Sequence, residues 1–256
     1  MKRVPISILV VALFAAVMMA QRADVPAEPL IQGSYLQRAF TTGETLEFDL
    51  SWLRLAGGQA EMVIAPVAGE SNRTKMHSLF QSRGVLDRVY HVEDLIETIV
   101  ESDTFSTVHF HKRLNERNKI KDDTTVMDYG TGIATRKGKE VRITRPLLDP
   151  LSAIYHLRRF KLKVGSTLYF TAIGDGKIYK LEAAILRKEK LRTEAGTFNT
   201  LLVQPKMRQG GIFRDENNRL LIWYSDDDRH LPVRIQSDIA AGSITANLRS
   251  FRVGTR

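Results

Sequence analysis

Apolar and polar residues alternate along much of this chain, and the alternation predicts β-strands. The clearest case is Leu46–Trp52, where the even-numbered positions are apolar and the odd-numbered ones are Glu, Asp and Ser. Val233–Ile239 is similar, with apolar residues at 233, 235 and 239 and polar residues at 234, 236 and 238. Because successive side chains of a strand point to opposite faces, each segment predicts a strand with one buried and one wet face.

Segments of this kind follow one another with short breaks, which predicts neighbouring antiparallel strands. Thr200–Val203, Leu220–Tyr224 and Val233–Ile239 are separated by polar breaks that contain Gly or Pro. Near the start, Ala56–Gly58 predicts a turn between Leu46–Trp52 and a return strand through 60–64. The remaining predicted elements are strands at 74–83, 91–101, 105–113, 119–129 (at an edge), 166–173 and 177–188, a turn-rich connection over 128–138 and one helical turn near 85–90.

One α-helix is predicted near residues 150–160. Asp149 fits an N-cap, and Pro150 fits the first helical position, where its missing N–H costs nothing. Residues 151, 154, 155 and 158 follow the spacing of an amphipathic face. We therefore predict a helix that lies across an open end or a face of the sheet.

Together these elements predict a mostly β protein, with a large curved antiparallel sheet or incomplete β-barrel and one short α-helix. The 43% hydrophobic content is enough for a sizeable core. The sequence shows no internal repeat and no linker to a second domain. We expect one β-rich domain over residues 43–251.

The N-terminal residues predict export. Lys2 and Arg3 precede an apolar run from Ile6 to Met19, the arrangement of a secretory signal peptide. We expect a signal peptide over residues 1–20, a flexible segment over 21–42 and a periplasmic location. The alternative is an uncleaved inner-membrane anchor, although the run is short for a span of about 20 residues.

The charge and the missing cysteines limit the chemistry. Removing Lys2 and Arg3 from the 38 basic residues leaves 36 against 29 acidic ones, a net charge of about +7. Such an excess favours anionic partners such as a membrane surface, or is only a soluble basic surface, and no nucleic-acid motif accompanies it. The absence of cysteine excludes disulfides, thiolate metal sites and cysteine nucleophiles.

Four segments occur in an order that resembles a known family. They are Asp149–Tyr155 with Leu157 and Arg158, Gly174–Tyr179, Thr193–Phe198, and Leu221–Asp227 continuing through Leu231–Ile235 to Gly242–Ile244. In this order they resemble the bacterial domain-of-unknown-function family 3108, a group of exported envelope proteins without an assigned activity. The resemblance spans about residues 43 to 250 and implies a curved, mostly antiparallel sheet or incomplete barrel, with no catalytic residues. A looser analogy, on fold alone, is to periplasmic lipoprotein carriers that wrap an incomplete barrel around acyl chains.

Two groups of residues are weak candidates for a metal site. Asp226, Asp228 and His230 combine carboxylates with a histidine, but Asp-rich segments before a proline more often form turns, and Asp227 has Arg234 as a possible partner. His109 and His111 lie two apart on a predicted strand and share a face, which His91 would have to join. The alternative is a solvated or hydrogen-bonded histidine face, and we expect no metal and no cofactor.

Nucleophilic catalysis finds no support in the sequence. Ser152 and Ser225 occur near His156 and His230, but neither serine lies in a G-x-S-x-G elbow. Gly210-Gly211 lacks the lysine and the strand–helix setting of a phosphate loop.

Large aromatic side chains on the predicted strands are the candidate ligand-binding residues. If the sheet curls, some of them line a cavity, whereas the alternative is ordinary core packing. The residues are Phe48, Trp52, Phe80, Tyr169 and Trp223. Met207–Phe213 is either a flap over such a cavity or a long hairpin loop.

From these observations we expect a non-catalytic, exported cell-envelope protein. It binds a hydrophobic or amphipathic, lipid-like ligand in a curled β-sheet, and its basic surface faces an anionic membrane. One alternative is an envelope scaffold or assembly factor that binds another protein. The other is a metal-dependent hydrolase that uses the histidine pair or the aspartate cluster.

Overall fold

The computed structural model describes residues 40–53, 55–117, 119–207, 219–239 and 242–254. Within these ranges every strand belongs to one antiparallel sheet of 14 strands, in the order β8-β7-β6-β5-β4-β3-β2-β1-β14-β13-β12-β11-β10-β9. The mostly β fold with a large curved antiparallel sheet is therefore confirmed.

The elements have the following bounds. The strands are β1 (Thr45–Trp52), β2 (Leu55–Val67), β3 (Glu70–Ser82), β4 (Val92–Glu101), β5 (Thr107–Glu116), β6 (Lys119–Asp128), β7 (Ile133–Arg136), β8 (Lys139–Arg142), β9 (Thr167–Gly174), β10 (Lys177–Thr193), β11 (Gly196–Met207), β12 (Arg219–Ser225), β13 (Pro232–Ile239) and β14 (Gly242–Arg252). The helices are α1 (Gly84–Val89) and α2 (Pro150–Leu157).

The alternation in the sequence corresponds to two faces of the sheet. In β1, Leu46, Phe48 and Leu50 are buried while the residues between them are partly exposed. The buried residues of the neighbouring strands, such as Met62 opposite Leu46 and Ala246 opposite Leu50, continue this inner face. The inner face of the curled sheet is therefore the core, as the period of two predicts.

The sheet curls until its two margins approach each other, but it does not close into a barrel. The segment before α2 lies between them: Leu147 O accepts from Thr107 N of β5 at 2.8 Å, and Leu148 N donates to Thr171 O of β9 at 3.0 Å. Asp175, in the β9–β10 turn, forms ion pairs with Lys112 of β5 and Arg136 of β7. Backbone and ion-pair contacts therefore replace a direct pairing of the margins.

Helix α2 plugs one end of the curled sheet, which we call the α2 end. The Asp149 carboxylate accepts from Leu151 N and Ser152 N as an N-cap, and also from the hydroxyls of Thr98 in β4 and Thr107 in β5. These bonds fix the start of the helix to the sheet because a buried carboxylate needs several donors.

A buried ion pair fixes the other end of α2. Arg158 donates to both Glu44 carboxylate oxygens, at 2.6 and 2.8 Å, and its Nε donates to Arg229 O at 3.1 Å. Both side chains are almost fully buried. Such a pair stabilises the fold only while both partners are present.

Several details differ from the predictions. Helix α2 is shorter than predicted and is not amphipathic, because all eight of its residues are buried inside the curl. Within the connection predicted at 128–138, Ile133–Arg136 forms β7 and pairs with β8, so that only the first half of β6 is left at a margin. The chain turns at Leu53, before the predicted Ala56–Gly58, whose residues lie in β2 beside a register shift.

Some predictions lie outside the described residues. They are the signal peptide over 1–20, the segment over 21–42 up to residue 39, and the flap predicted over Met207–Phe213 from residue 208 onward. Among the residues that the structure describes, no helix combines the length and the apolar character that a bilayer span requires.

Candidate functional site: an apolar pocket at the α1 end

The end of the sheet opposite α2, here called the α1 end, carries a pocket on the inner face. Its empty volume is about 330 Å³, part of which is open to solvent. The lining is almost entirely apolar and consists of Leu50, Ser51, Trp52, Gly57, Phe80, Ser82, Leu86, Tyr90, Val92 and Ile244. We call this cavity the Trp52 pocket.

Helix α1 forms one wall of the Trp52 pocket, and Gly57 lets it approach β2 closely. A Cβ on Gly57 would lie 3.0 Å from Leu86 Cδ2, and a Cβ on Gly58 would collide with the carbonyl of Gln81 in β3. Ser82 holds the helix between β3 and β4: its Oγ donates to Asp87 and accepts from Val92 N at 2.8 Å. Gly57 therefore leaves room for Leu86 over the pocket, whereas Gly58 leaves room for the backbone of β3.

Two buried carboxyl groups lie directly beside the pocket. Asp94 is opposite the pocket residue Phe80, and Glu116 is opposite the pocket residue Val92. Asp94 Oδ1 accepts from Asn115 N at 3.0 Å, whereas Oδ2 has no partner among the described residues. Tyr90, which lines the pocket, donates its hydroxyl to Glu116 at 3.4 Å.

Burial determines the charge of this pair. Loss of solvent and, second, the nearby Glu116 carboxylate raise the pKa of Asp94 to about 7. Burial also raises the pKa of Glu116, and burial together with Glu116 raises the pKa of Tyr90 to about 12. The Asp94 carboxyl therefore changes between its neutral and its charged form near neutral pH, because burial and the adjacent carboxyl both disfavour the charged form.

The structure brings three of the five predicted aromatic residues to the inner face. Trp52 and Phe80 line the pocket, and Phe48 is buried deeper in the core. Tyr169 and Trp223 lie on the outer face: Tyr169 is opposite Glu182 and 40% exposed, and Trp223 is opposite Arg234 and bonded through Nε1 to Glu189. These two residues therefore do not line the pocket, because the inner-face residues of their strands are 168, 170, 222 and 224.

The histidine pair does not form a metal site with a third ligand. His109 and His111 share the outer face of β5, as predicted, but His91 lies at the opposite end of that strand, where its carbonyl accepts from Arg117 N. His111 contacts Glu97 and Asp122, at 3.4 and 2.9 Å. Burial and the adjacent His111 lower the pKa of His109. No group of three metal-ligating residues occurs in the described ranges, which gives the metal hypothesis no geometric support.

The aspartate segment forms a turn. Asp226 pairs with Lys188, and Asp227 pairs with Arg229 rather than with Arg234. His230 is buried at the α2 end and donates from Nδ1 to Arg158 O at 3.2 Å. The side chains of 226 and 230 therefore have separate partners, and Asp228 is exposed beside them.

The two serine–histidine combinations are also structural. Ser152 Oγ is engaged in the cap of α2, and both ring nitrogens of His156 are buried without a partner among the described residues. His156 packs against the rings of Phe105, Phe160 and Phe170. Ser225 Oγ donates to Asp227 and accepts from Leu231 N. Neither serine is hydrogen-bonded to a histidine.

The sequence reasoning missed most residues of the α1 wall. Leu86, Tyr90 and Val92 line the pocket, but the segment that holds them was predicted only as a helical turn and the start of a strand. The alternation of Tyr90, Val92 and Asp94 is a signal for one shared face. Asp94 is an acidic residue at a position where the alternation predicts an apolar inner-face residue, and this is the signal in the sequence for a buried carboxyl group.

The model for the family described as protein of unknown function DUF3108 matches residues 47–249. The chain belongs to this family. The match covers the whole sheet except the ends of β1 and β14, so the family assignment and the predicted resemblance agree. No curated protein matches the sequence significantly.

Comparison with solved structures supports the fold. A β-barrel-like protein of the family DUF1849 from Brucella abortus has 10% sequence identity and a TM-score of 0.56, with 85% of this chain and 100% of that chain covered. A hypothetical protein from Chlamydia trachomatis has 9% identity and a TM-score of 0.41, with 87% and 94% covered. The first similarity is one of fold, and the second is too remote to bear on function.

Proposed function

We propose that this member of the DUF3108 family is a non-catalytic envelope protein that binds a hydrophobic or amphipathic ligand in the Trp52 pocket. The observation that carries the proposal is a largely apolar void on the inner face, at the end of the sheet that α2 does not plug. Exposed apolar walls of this kind are poorly solvated, so an alkyl chain that covers them gains from leaving water.

Export is part of the same proposal. The basic and apolar N-terminal residues have the arrangement of a signal peptide, and a periplasmic protein that carries an amphipathic ligand needs no cofactor. N-terminal sequencing of the chain recovered from the envelope tests this, and we expect it to begin at Gln21.

The two tryptophans allow a direct binding test. Trp52 lines the pocket and Trp223 lies on the outer face, and the chain contains no other tryptophan. We expect 1-decanol to change the fluorescence of the Trp223→Phe variant saturably and to leave that of the Trp52→Phe variant unchanged. Equal responses of the two variants would contradict a ligand at Trp52.

A matched pair of variants locates the ligand. Leu86→Asp places a charge in the pocket wall, whereas Leu95→Asp places the same charge on a half-buried residue of the outer face. We expect decanol affinity to fall at least tenfold in Leu86→Asp and to change less than twofold in Leu95→Asp, each in the Trp223→Phe background. Unchanged affinity in Leu86→Asp would exclude this pocket.

One observation favours the assembly-factor alternative. Only Thr125–Asp128 of β6 pairs with β7, so that within the described chain Lys119–Thr124, which includes the exposed Ile120, forms a free strand margin. A free margin can accept a strand of another protein, although lysines at its start oppose this. Site-specific crosslinking from Ile120 in cells that captures one envelope protein would support the alternative.

A further inference from the structure

Three connections lie side by side at the α1 end because they join consecutive neighbours in the sheet. They are the β1–β2 turn, the segment with α1 between β3 and β4, and the β5–β6 turn. Leu86 of α1 approaches Gly57 of β2, and Arg117 of the β5–β6 turn stacks over the Tyr90 ring at 4.9 Å. The three connections therefore form one continuous rim above the Trp52 pocket.

Two leucines of the β1–β2 turn point into solvent on this rim. Leu53 is 54% exposed and Leu55 is 70% exposed. Leu53 also approaches Gly242 beside the Trp52 ring, so the exposed apolar residues adjoin the pocket wall. Leu53 and Leu55 lie two positions apart beside an apolar pocket, and exposed apolar surface grouped in this way is of the kind that contacts proteins or membranes.

Exposed cations lie on the other two connections of the rim. Arg83 precedes α1, Arg88 lies in its last turn, Arg117 lies in the β5–β6 turn and Lys119 begins β6. The nearby acidic groups are engaged or buried: Asp87 is bonded to Ser82 and His91, and Glu116 is buried. The combination of apolar tips and cations on the same rim matches a bilayer interface that carries negative charge.

We propose that this docking rim, formed by Leu53, Leu55, Arg83, Arg88 and Arg117, binds the surface of an anionic phospholipid bilayer. The leucines enter the headgroup region, and the arginines contact lipid phosphates. The proposal rests on the proposed function, since a rim on the membrane gives the Trp52 pocket a route to an apolar ligand. What it adds is the surface that contacts the membrane and the class of lipid that this surface binds.

Vesicle flotation tests the proposal with the protein purified as the cell exports it. Vesicles of phosphatidylcholine with 30% phosphatidylglycerol are compared with phosphatidylcholine alone, at about 0.1 M and 0.5 M salt. We expect binding only to the anionic vesicles and a loss at high salt, because screening weakens exposed charges.

Two variants with the same charge change separate the rim from net charge. Arg83→Glu with Arg88→Glu reverses two charges on the rim, and Lys190→Glu with Arg192→Glu reverses two on the exposed β10–β11 hairpin at the α2 end. Since one basic residue near an anionic surface contributes about fivefold to binding, we expect at least a tenfold loss for the first variant and less than a threefold loss for the second. Leu55→Ser adds a loss that salt does not change.

The outcomes are decisive. Equal losses of vesicle binding in the two charge variants would show that net charge alone drives binding and would overturn the proposal. Vesicle binding at the wild-type level in the rim variant would also overturn it. A dimer in sedimentation velocity that Leu55→Ser dissociates would identify the rim as an interface between copies and also overturn the proposal. Decanol binding at Trp52 without vesicle binding would refute the rim alone, and vesicle binding without decanol binding would refute the proposed ligand alone.

Discussion

Replacing Asp94 by asparagine is expected to remove part of the pH dependence of the free energy of unfolding. Asp94 is only 3% exposed, and its Oδ1 accepts from Asn115 N. Burial and Glu116 raise its pKa from 3.8 to about 7. A carboxyl whose pKa is higher in the folded chain than in the unfolded chain stabilises the fold at low pH, and that stabilisation is lost as the pH rises through about 7.

The magnitude follows from the shift. About three pKa units at 1.36 kcal/mol each give up to about 4 kcal/mol between pH 4 and pH 8. Asparagine keeps the acceptor for Asn115 N, carries no charge and removes the repulsion that Glu116 experiences. Asp94→Asn should therefore be near neutral at pH 4 and more stable than the wild type by about 2–4 kcal/mol at pH 8.

Urea unfolding monitored by tryptophan fluorescence, at fixed ionic strength and half-unit steps from pH 4 to pH 8, measures this difference. Subtracting the wild type at each pH removes the contributions of other titrating groups, His156 among them. Asp228→Asn, at an exposed aspartate in the turn after β12, is the control and should give a flat difference. A difference for Asp94→Asn that changes by less than about 0.5 kcal/mol across this range would refute the reasoning.

Two further predictions concern the α2 end. Glu44→Gln leaves Arg158 buried without its counter-charge, so we expect a loss of about 3–5 kcal/mol in urea unfolding, whereas Glu47→Gln, at a half-exposed partner of Arg249, should cost less than about 1 kcal/mol. Equal effects would show that the Arg158 pair is not as buried as described. Burial, and then Arg159, lower the pKa of His156 to about 3, so that its contribution to stability is lost as the pH falls below about 6.5. His156→Phe should therefore be more stable than the wild type at pH 5 and change little at pH 8, and a variant that is equally destabilised at both values would contradict this.

The fold could be predicted from the sequence wherever apolar and polar residues alternate strictly. Leu46–Trp52 revealed its inner face because every second residue is polar, and Asp149 with Pro150 revealed the start of α2 because capping chemistry is local. Thr167–Gly174 and Leu220–Tyr224 contain several consecutive apolar residues, so the pattern did not say which face Tyr169 or Trp223 occupies. A shift of one residue along a strand moves a side chain to the opposite face of the sheet. For this reason Tyr169 and Trp223 lie on the outer face and not in the candidate site.

Features that depend on distant contacts could not be predicted. The pairing of Arg158 with Glu44 joins residues 114 positions apart, and no local signal indicates it. The short β7–β8 hairpin turns at Lys137 and Gly138, which both have positive φ. Its strands are polar and alternate weakly, so the sequence pattern did not identify them as strands on either side of a turn. The position of His91 relative to the pair at 109 and 111 could not be predicted for the same reason, since it depends on strand register.

The two ends of the curled sheet differ in how their buried charged groups are partnered. At the α2 end, Arg158 is paired with Glu44, and Asp149 accepts hydrogen bonds from two threonines and from the start of α2, so each of these groups has partners within the chain. At the α1 end, the void is apolar, the Asp94 carboxyl holds an unpartnered oxygen and Leu55 is exposed. One packed end and a closed core suffice for folding, which leaves the other end free to keep features that cost stability. Such costs are retained where they serve binding, and for this reason we propose both the ligand site and the membrane contact at the α1 end.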